Sequence, residues 1–504
     1  MTTAGRSAAR ERRVTTWLLF GGVFACYVVL QSGSIAGEGY TGEEIVSGVR
    51  ILGALQAWIH HQPTPAIEWS RHGPLPVLFD LPFLAAGRAF LVSVDYALSI
   101  QPMLLSAAIV AVTFLWIRRL ATPAVALLLA CIAAFGTMLW PYAYIGLETK
   151  QSFAVLLAGY AGLACAPRRT WPRTVAFAVV CGLAVALKST GAILVPAIVF
   201  IVYVQFRRDE RVQWLKCAAV AAVMMALYLA SAHGRALYWT PRGGGFANLR
   251  QFLIGSPLDI AINVIGIFGS PSKGLFVYVP VLLAAIAAIP AAWRRSRDLT
   301  LFALLVTVGT CAFLCVLKYP ADEVWGSRYL HVAIAPWLVV IGAAWPVYRR
   351  DRHLVVSALG AIGVPIAFLG SFYYYGLPLA AATTVNQNTL EWLTGDRTWN
   401  PIVFNGRLFH IWMDGGTEPV LWTPSHIWAW TPPPGPDPTK RAIDLRPYSQ
   451  PQSFLPRFWR APFTGAPLRI KRASELALAI GPILLIVVVA RTRRIRDVQP
   501  ETAP

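Results

Sequence analysis

The sequence predicts an all-α polytopic membrane protein of about twelve transmembrane helices, with a small external domain of uncertain fold near its C-terminus. Three observations predict it. The 504 residues are 56% hydrophobic and only 13% charged, with 19 Trp and a mean hydropathy of +0.55, a composition foreign to soluble domains. Arginine-rich clusters recur at Arg6 to Arg13, Arg118-Arg119, Arg168 to Arg173, Arg207 to Lys216, Arg294 to Arg297, Arg349 to Arg352 and Arg491 to Arg496. The intervals between them fit two membrane crossings apiece, and the acidic and aromatic loop residues fall mostly in those gaps. Short Lys/Arg-rich loops stay cytoplasmic, so both termini are expected inside and the hairpins reach outward from the plasma (inner) membrane.

The net charge of +20 invites a nucleic-acid reading. About half of the basic residues, however, lie in the clusters, where membrane topology accounts for them. The seven cysteines, Cys26, Cys131, Cys165, Cys181, Cys217, Cys311 and Cys315, sit in or beside apolar segments and outline neither a disulfide framework nor a zinc site. The first apolar stretch, Thr15 to Gln31, follows a basic start but is long and lacks a clear small-residue cleavage site, which reads as a retained anchor.

In chain order the expected spans are 15–33, 97–117, 122–139, 150–166, 174–187, 191–206, 214–232, 275–293, 299–317, 330–348, 354–371 and 475–490, each apolar and long enough to cross or nearly cross a bilayer. Leu75 to Val94 is apolar too, but carries Asp80, Arg88, Pro76 and Pro82. Counting it as a span would reverse every later loop, and a charge at mid-bilayer costs roughly 2.5 to 3.5 kcal/mol. It is therefore expected as an interfacial or re-entrant segment on the outer side. Lys471 and Arg472, at the outer end of the last span, are the exception to the charge rule.

Three regions follow: a transmembrane catalytic module over 1–371, whose outer loop 33–96 holds the interfacial helices; an external Trp/Pro-rich domain over 372–474; and a last helix with a basic cytoplasmic tail over 475–504. The external domain contains Trp392, Trp399, Trp412, Trp422, Trp428, Trp430 and Trp459 and the run Pro432 to Pro438, too aromatic for a disordered segment.

Chemistry is expected in the outward loops. The first reads Gly37-Glu38-Gly39-Tyr40-Thr41-Gly42-Glu43-Glu44 before an amphipathic run, Ile45 to Ile59. Thr41 and Glu44 match a capping box, and acids favour a helix N-terminus. A carboxylate just beyond the first span is equally placed to take a proton from an acceptor hydroxyl at the membrane face. The two roles are compatible.

These acids and several later motifs resemble the GT-C superfamily, membrane glycosyltransferases that use polyprenyl-phosphate sugars, including protein O-mannosyltransferases and aminoarabinose transferases. Glu43-Glu44 looks like that family's Asp-Glu motif, with Glu43 one methylene longer than the usual Asp. His72-Gly73-Pro74-Leu75-Pro76 resembles its juxtamembrane stretch. Trp140-Pro141-Tyr142 with Glu148 resembles its second outer loop, and Ser270 to Leu275 and Trp325-Gly326-Ser327-Arg328-Tyr329-Leu330 resemble patterns of bacterial members. The resemblance implies a GT-C-like fold and transfer of a hexose or pentose from a polyprenyl-phosphate donor to a glycan, lipid or protein hydroxyl. It implies Glu43 and Glu44 as catalytic acids and Glu148 in contact with sugar or acceptor. A divalent metal occurs in such enzymes, but His60-His61 is only an adjacent pair, and no metal ligands are assigned.

Lys188 stands out on physical grounds. Between Arg173 and Arg207, both cytoplasmic, lie 33 residues, so the segment must turn back as a hairpin. Arms of about 16 residues reach roughly 24 Å against a hydrocarbon core near 30 Å, which recesses the Lys188-Ser189-Thr190-Gly191 apex below the outer surface. A lysine there snorkels to the headgroups or meets water or an anion. With the implied donor, it would hold the phosphate together with Arg328, whose fork suits phosphate. Tyr329 is a further binding candidate, and His72, Arg71 and Lys273 are lesser ones that also read as ordinary interface residues. Two other classes fit less well. A twelve-helix secondary transporter predicts similar halves and midplane charges, and a non-catalytic scaffold would use the Trp-rich domain to bind glycan.

Overall fold

A computed structural model describes residues 3–29, 39–64, 73–89, 94–144, 146–165, 170–207, 214–239, 256–271, 273–317, 325–372, 401–414, 420–424, 440–444, 476–477 and 480–492. The described residues are almost wholly helical. Before the first basic turn come α1 (Thr3–Val29), α2 (Gly39–Ile59), α3 (Pro74–Ala89) and α4 (Val94–Ile117). Next are α5 (Pro123–Phe135), the short α6 (Leu139–Tyr142), and α7 (Gly146–Gly159), which widens into a π-turn at Tyr160–Ala164. Two helices, α8 (Trp171–Ala186) and α9 (Val195–Arg207), are joined by a 3-10 turn, Ser189–Leu194, and α10 (Trp214–Trp239) follows. The second half has α11 (Pro257–Gly269), α12 (Leu275–Tyr278), α13 (Val281–Arg295), α14 (Arg297–Cys315), α15 (His331–Ala344) and α16 (Arg350–Phe372).

Local sequence sets several of these starts. Pro123, Pro172 and Pro257 stand in the first turns of α5, α8 and α11, where the missing N–H costs nothing and the fixed φ suits a helix. Ser256 caps α11 by accepting from the Leu258 amide at 3.2 Å, a typical N-cap bond.

Packing then sorts the helices into centre and rim. All fourteen residues of α15 are buried, as expected for a helix that is apolar all round. Outer helices instead turn large apolar side chains outward, among them Val199, Leu215, Ile265, Val355 and Ile362, a surface suited to lipid rather than water. Ala97–Ile117, Thr190–Arg207, Arg297–Cys315, Arg328–Val347 and Arg350–Phe372 are long and apolar enough to cross a membrane. At the crossing of α5 and α16, a β-carbon on Gly363 would lie 2.1 Å from the Gly136 carbonyl. Only glycine permits that backbone approach, a device common between membrane helices.

The structure adds to the sequence reading in three places. The apolar segment after Leu75 forms a 16-residue helix, α3, and its Asp80 is not a lone charge. Lys150 of α7 bonds both Asp80 carboxylate oxygens, at 2.7 and 2.9 Å, and Gln101 of α4 donates to Asp80 at 2.6 Å. The stretch after His233, expected as an outward loop, contains the apolar 13-residue α11, which the sequence reading did not mark. Finally, the first described element after Phe372 is α17 (Pro401–Asp414), seated on the end of α16. Phe409 meets Phe372 and Phe368 at 5.4 and 6.1 Å, and Asn405 donates to the Leu369 carbonyl at 3.1 Å. An antiparallel pair follows, β1 (Val420–Pro424) with β2 (Lys440–Asp444), in register Val420 to Asp444. The last apolar helix, α18 (Ile480–Thr492), lies against α1, where Gly22 admits Leu485 and Gly481 admits Cys26.

Candidate functional site

The site is built where the start of α7 meets two turns, Lys188 with Ser189–Leu194, and Ser327 to His331. Glu148 stands in the first turn of α7, a position favoured for an acid by the helix dipole. That placement alone would be a capping role. The tertiary fold adds two cations. Lys188 donates to Glu148 Oε1 in a close ion pair, and Arg328 Nε lies 3.6 Å from the same oxygen. All three side chains are nearly inaccessible, at 2 to 3% exposed.

Each cation reaches this point through a break in helix. Lys188 has extended backbone, φ −132° and ψ 148°, between α8 and the 3-10 turn. Arg328 opens a 3-10 turn, Arg328–Leu330, ahead of α15. The turn before it is pinned on several sides. Tyr142 of α6 donates to the Trp325 carbonyl at 3.0 Å, and Ser327 Oγ bonds the carbonyls of Ile267 and Lys273 at 3.0 and 2.6 Å. Tyr278 packs edge-on against Trp325 at 5.1 Å. Gly326 adopts φ +64°, and a β-carbon there would sit 2.6 Å from Met138 Sδ; both the conformation and the space demand glycine.

Tyr329 binds the two cations together. Its ring lies 4.3 Å below the Lys188 ammonium and 4.8 Å from the Arg328 guanidinium, and its hydroxyl accepts from Arg328 Nη2 at 3.0 Å. Cations over an aromatic face are attracted by the ring quadrupole, more so when desolvated. The cluster is thus a rigid pair of positive groups on one aromatic platform, tethered by one carboxylate. Lys188 carries three N–H donors, of which Glu148 engages one among the described residues.

Of the residues singled out by sequence, Glu148, Lys188, Arg328 and Tyr329 therefore come together. Lys273 is buried and is linked to the Arg328 turn through its carbonyl. Glu43 and Glu44 lie in the second turn of α2, which starts at Gly39 and so puts Thr41 inside the helix rather than at the N-cap expected of it; the side chains of both acids, like all of His72, fall outside the described residues. The anion expected for the recessed lysine is supplied from within, by Glu148. Among the described residues no three His, Cys, Asp or Glu side chains gather as metal ligands.

Sequence reasoning passed over two features. His331, directly after the Arg328 turn, is buried with Nδ1 2.7 Å from Ser152 Oγ and its ring 4.9 Å from that of Tyr142. The signal was the polar run Thr149-Lys150-Gln151-Ser152 opening an apolar segment. The Asp80 and Lys150 pair was legible only as two opposite charges in separate apolar stretches.

No protein-family model matches this chain, and no curated protein matches it. Among solved structures it is similar to the crystal structure of ArnT from Cupriavidus metallidurans in the apo state, at 16% sequence identity and a TM-score of 0.45 over 82% of this chain and 69% of that one. At that distance nothing about the site is taken from the likeness, and its chemistry is argued from its own residues.

Proposed function

We propose that the protein is an integral membrane glycosyltransferase that moves a sugar from a polyprenyl-phosphate donor to a hydroxyl on a glycan, lipid or protein at the outer membrane face. The observation that carries this reading is the buried cluster of Lys188, Arg328 and Tyr329 held by Glu148. Two desolvated cations fixed in one place suit a phosphate, and a helical bundle with an apolar exterior suits its lipid tail.

In the reaction, the acceptor oxygen bonds to the anomeric carbon while the bond from that carbon to the phosphate oxygen breaks. The electron pair leaves with polyprenyl phosphate, whose growing negative charge is stabilised by Lys188 and Arg328. Glu43 takes the acceptor proton, with Glu44 as the second candidate, since a carboxylate in the second turn of α2, placed by the topology near the membrane face, is within the chemistry of a general base. No step is routed through a metal.

The test is binding and turnover with a panel of polyprenyl-phosphate sugars in nanodiscs. Losing one charged hydrogen bond to phosphate costs about 1.5 to 3 kcal/mol, so Lys188→Met and Arg328→Gln should each weaken binding roughly 10- to 150-fold. Failure of the unmutated protein to bind or turn over any of them, together with solute movement across liposomes, would replace this reading with a transporter.

A further inference from the structure

Beside the cation pair lies a second set of polar atoms that the phosphate does not need. Glu148, Gln151 and Ser152 are spaced i, i+3 and i+4 on α7, which puts them on one face of the helix. That face meets both turns of the site. Glu148 contacts Lys188, and Ser152 bonds His331 at 2.7 Å. Gln151 Nε2 lies so close to the 3-10 turn that a β-carbon on Gly191 would be 3.1 Å from it.

Three buried atoms at this junction have no hydrogen-bond partner among the described residues: Glu148 Oε2, Gln151 Nε2 and His331 Nε2. Their side chains are exposed by only 3, 8 and 1%. Buried polar atoms are nearly always paired, so orphans on three residues that border the same two turns point to a ligand.

The atoms also define what that ligand is. A carboxylate oxygen only accepts, an amide nitrogen only donates, and the imidazole nitrogen does one or the other according to which way Ser152 sets the tautomer. Phosphate, an acceptor bearing negative charge, has nothing to offer Glu148 Oε2. Adjacent sugar hydroxyls, each able to donate and accept, match the set. Resting on the lipid-linked donor reading above, we infer that Glu148, Gln151 and His331 form the subsite that recognises hydroxyls of the donor's sugar ring. Glu148 then has two faces, Oε1 toward the phosphate-binding cations and Oε2 toward the sugar.

The experiment compares two probes on the same full-length protein in nanodiscs: polyprenyl phosphate alone, and polyprenyl phosphate carrying one pentose or hexose. Their affinity ratio in one sample does not depend on the folded fraction, which keeps the test valid for a partly destabilised variant. Gln151→Leu and His331→Phe should each lower affinity for the sugar-bearing lipid about 3- to 10-fold, the loss of one neutral hydrogen bond, and leave the bare lipid within about 2-fold. An unchanged ratio in both variants overturns the subsite while leaving the phosphate site standing. If the unmutated protein binds neither lipid, the donor reading falls and takes this one with it.

Discussion

The sharpest consequence of the geometry is an asymmetry among three substitutions in the buried cluster. Glu148→Gln keeps the shape but leaves Lys188 and Arg328 as two like charges with their shared carboxylate gone. The part of that loss owed to Arg328 is set by its 3.6 Å separation from Glu148; at an effective dielectric of about 20 it corresponds to about 5 kcal/mol of Coulomb energy before desolvation. Removing one partner of a buried pair typically costs about 3 to 5 kcal/mol, and Glu148→Gln should reach the upper end. Lys188→Met should cost less, because Arg328 and Glu148 remain as a pair. The double variant, Lys188→Met with Glu148→Gln, should be more stable than Glu148→Gln alone, with a coupling of about 1 to 3 kcal/mol. Equilibrium unfolding in mixed micelles of increasing SDS fraction, followed by tryptophan fluorescence, measures all three. Equal losses in the two single variants with additive behaviour in the double would refute the shared-carboxylate arrangement.

The second buried pair gives a related expectation. Asp80→Asn should destabilise the protein by about 3 to 5 kcal/mol in the same unfolding assay, since Lys150 is 1% exposed and bonds both Asp80 carboxylate oxygens; replacing the two with Leu and Met together should recover much of the loss. Glu43→Gln should lower turnover by about 10² to 10⁴ with folding retained, and Glu44→Gln should be milder, read as initial rates with a donor that the unmutated protein accepts; normal rates in both and in the double variant leave the two acids no catalytic role. In a background freed of native cysteines, single cysteines at Ser70, Ser272 and Thr394 should label with an impermeant thiol reagent from outside and one at Ser296 should not, and the reverse pattern would invert the topology.

The sequence by itself determined the class of fold and singled out four residues that the structure brings together, Glu148, Lys188, Arg328 and Tyr329. Composition and basic spacing called for a helical membrane protein because lipid demands long apolar segments and charge asymmetry orients them. Length arithmetic alone marked Lys188 as recessed, and the chain does break between α8 and the 3-10 turn there. Arg328, Tyr329 and Glu148 could be named from motifs and from their place beyond the ends of apolar runs. Their partnership could not. Glu148 lies 40 positions from Lys188 and 180 from Arg328, and no local period brings such distances together; only the packing of α7 between two broken helices does. The same holds for Asp80, which as an isolated charge argued against a membrane span and which, paired with Lys150, is buried. A charge's cost in a low-dielectric interior depends on what stands within a few ångströms of it, and the tertiary structure alone decides that.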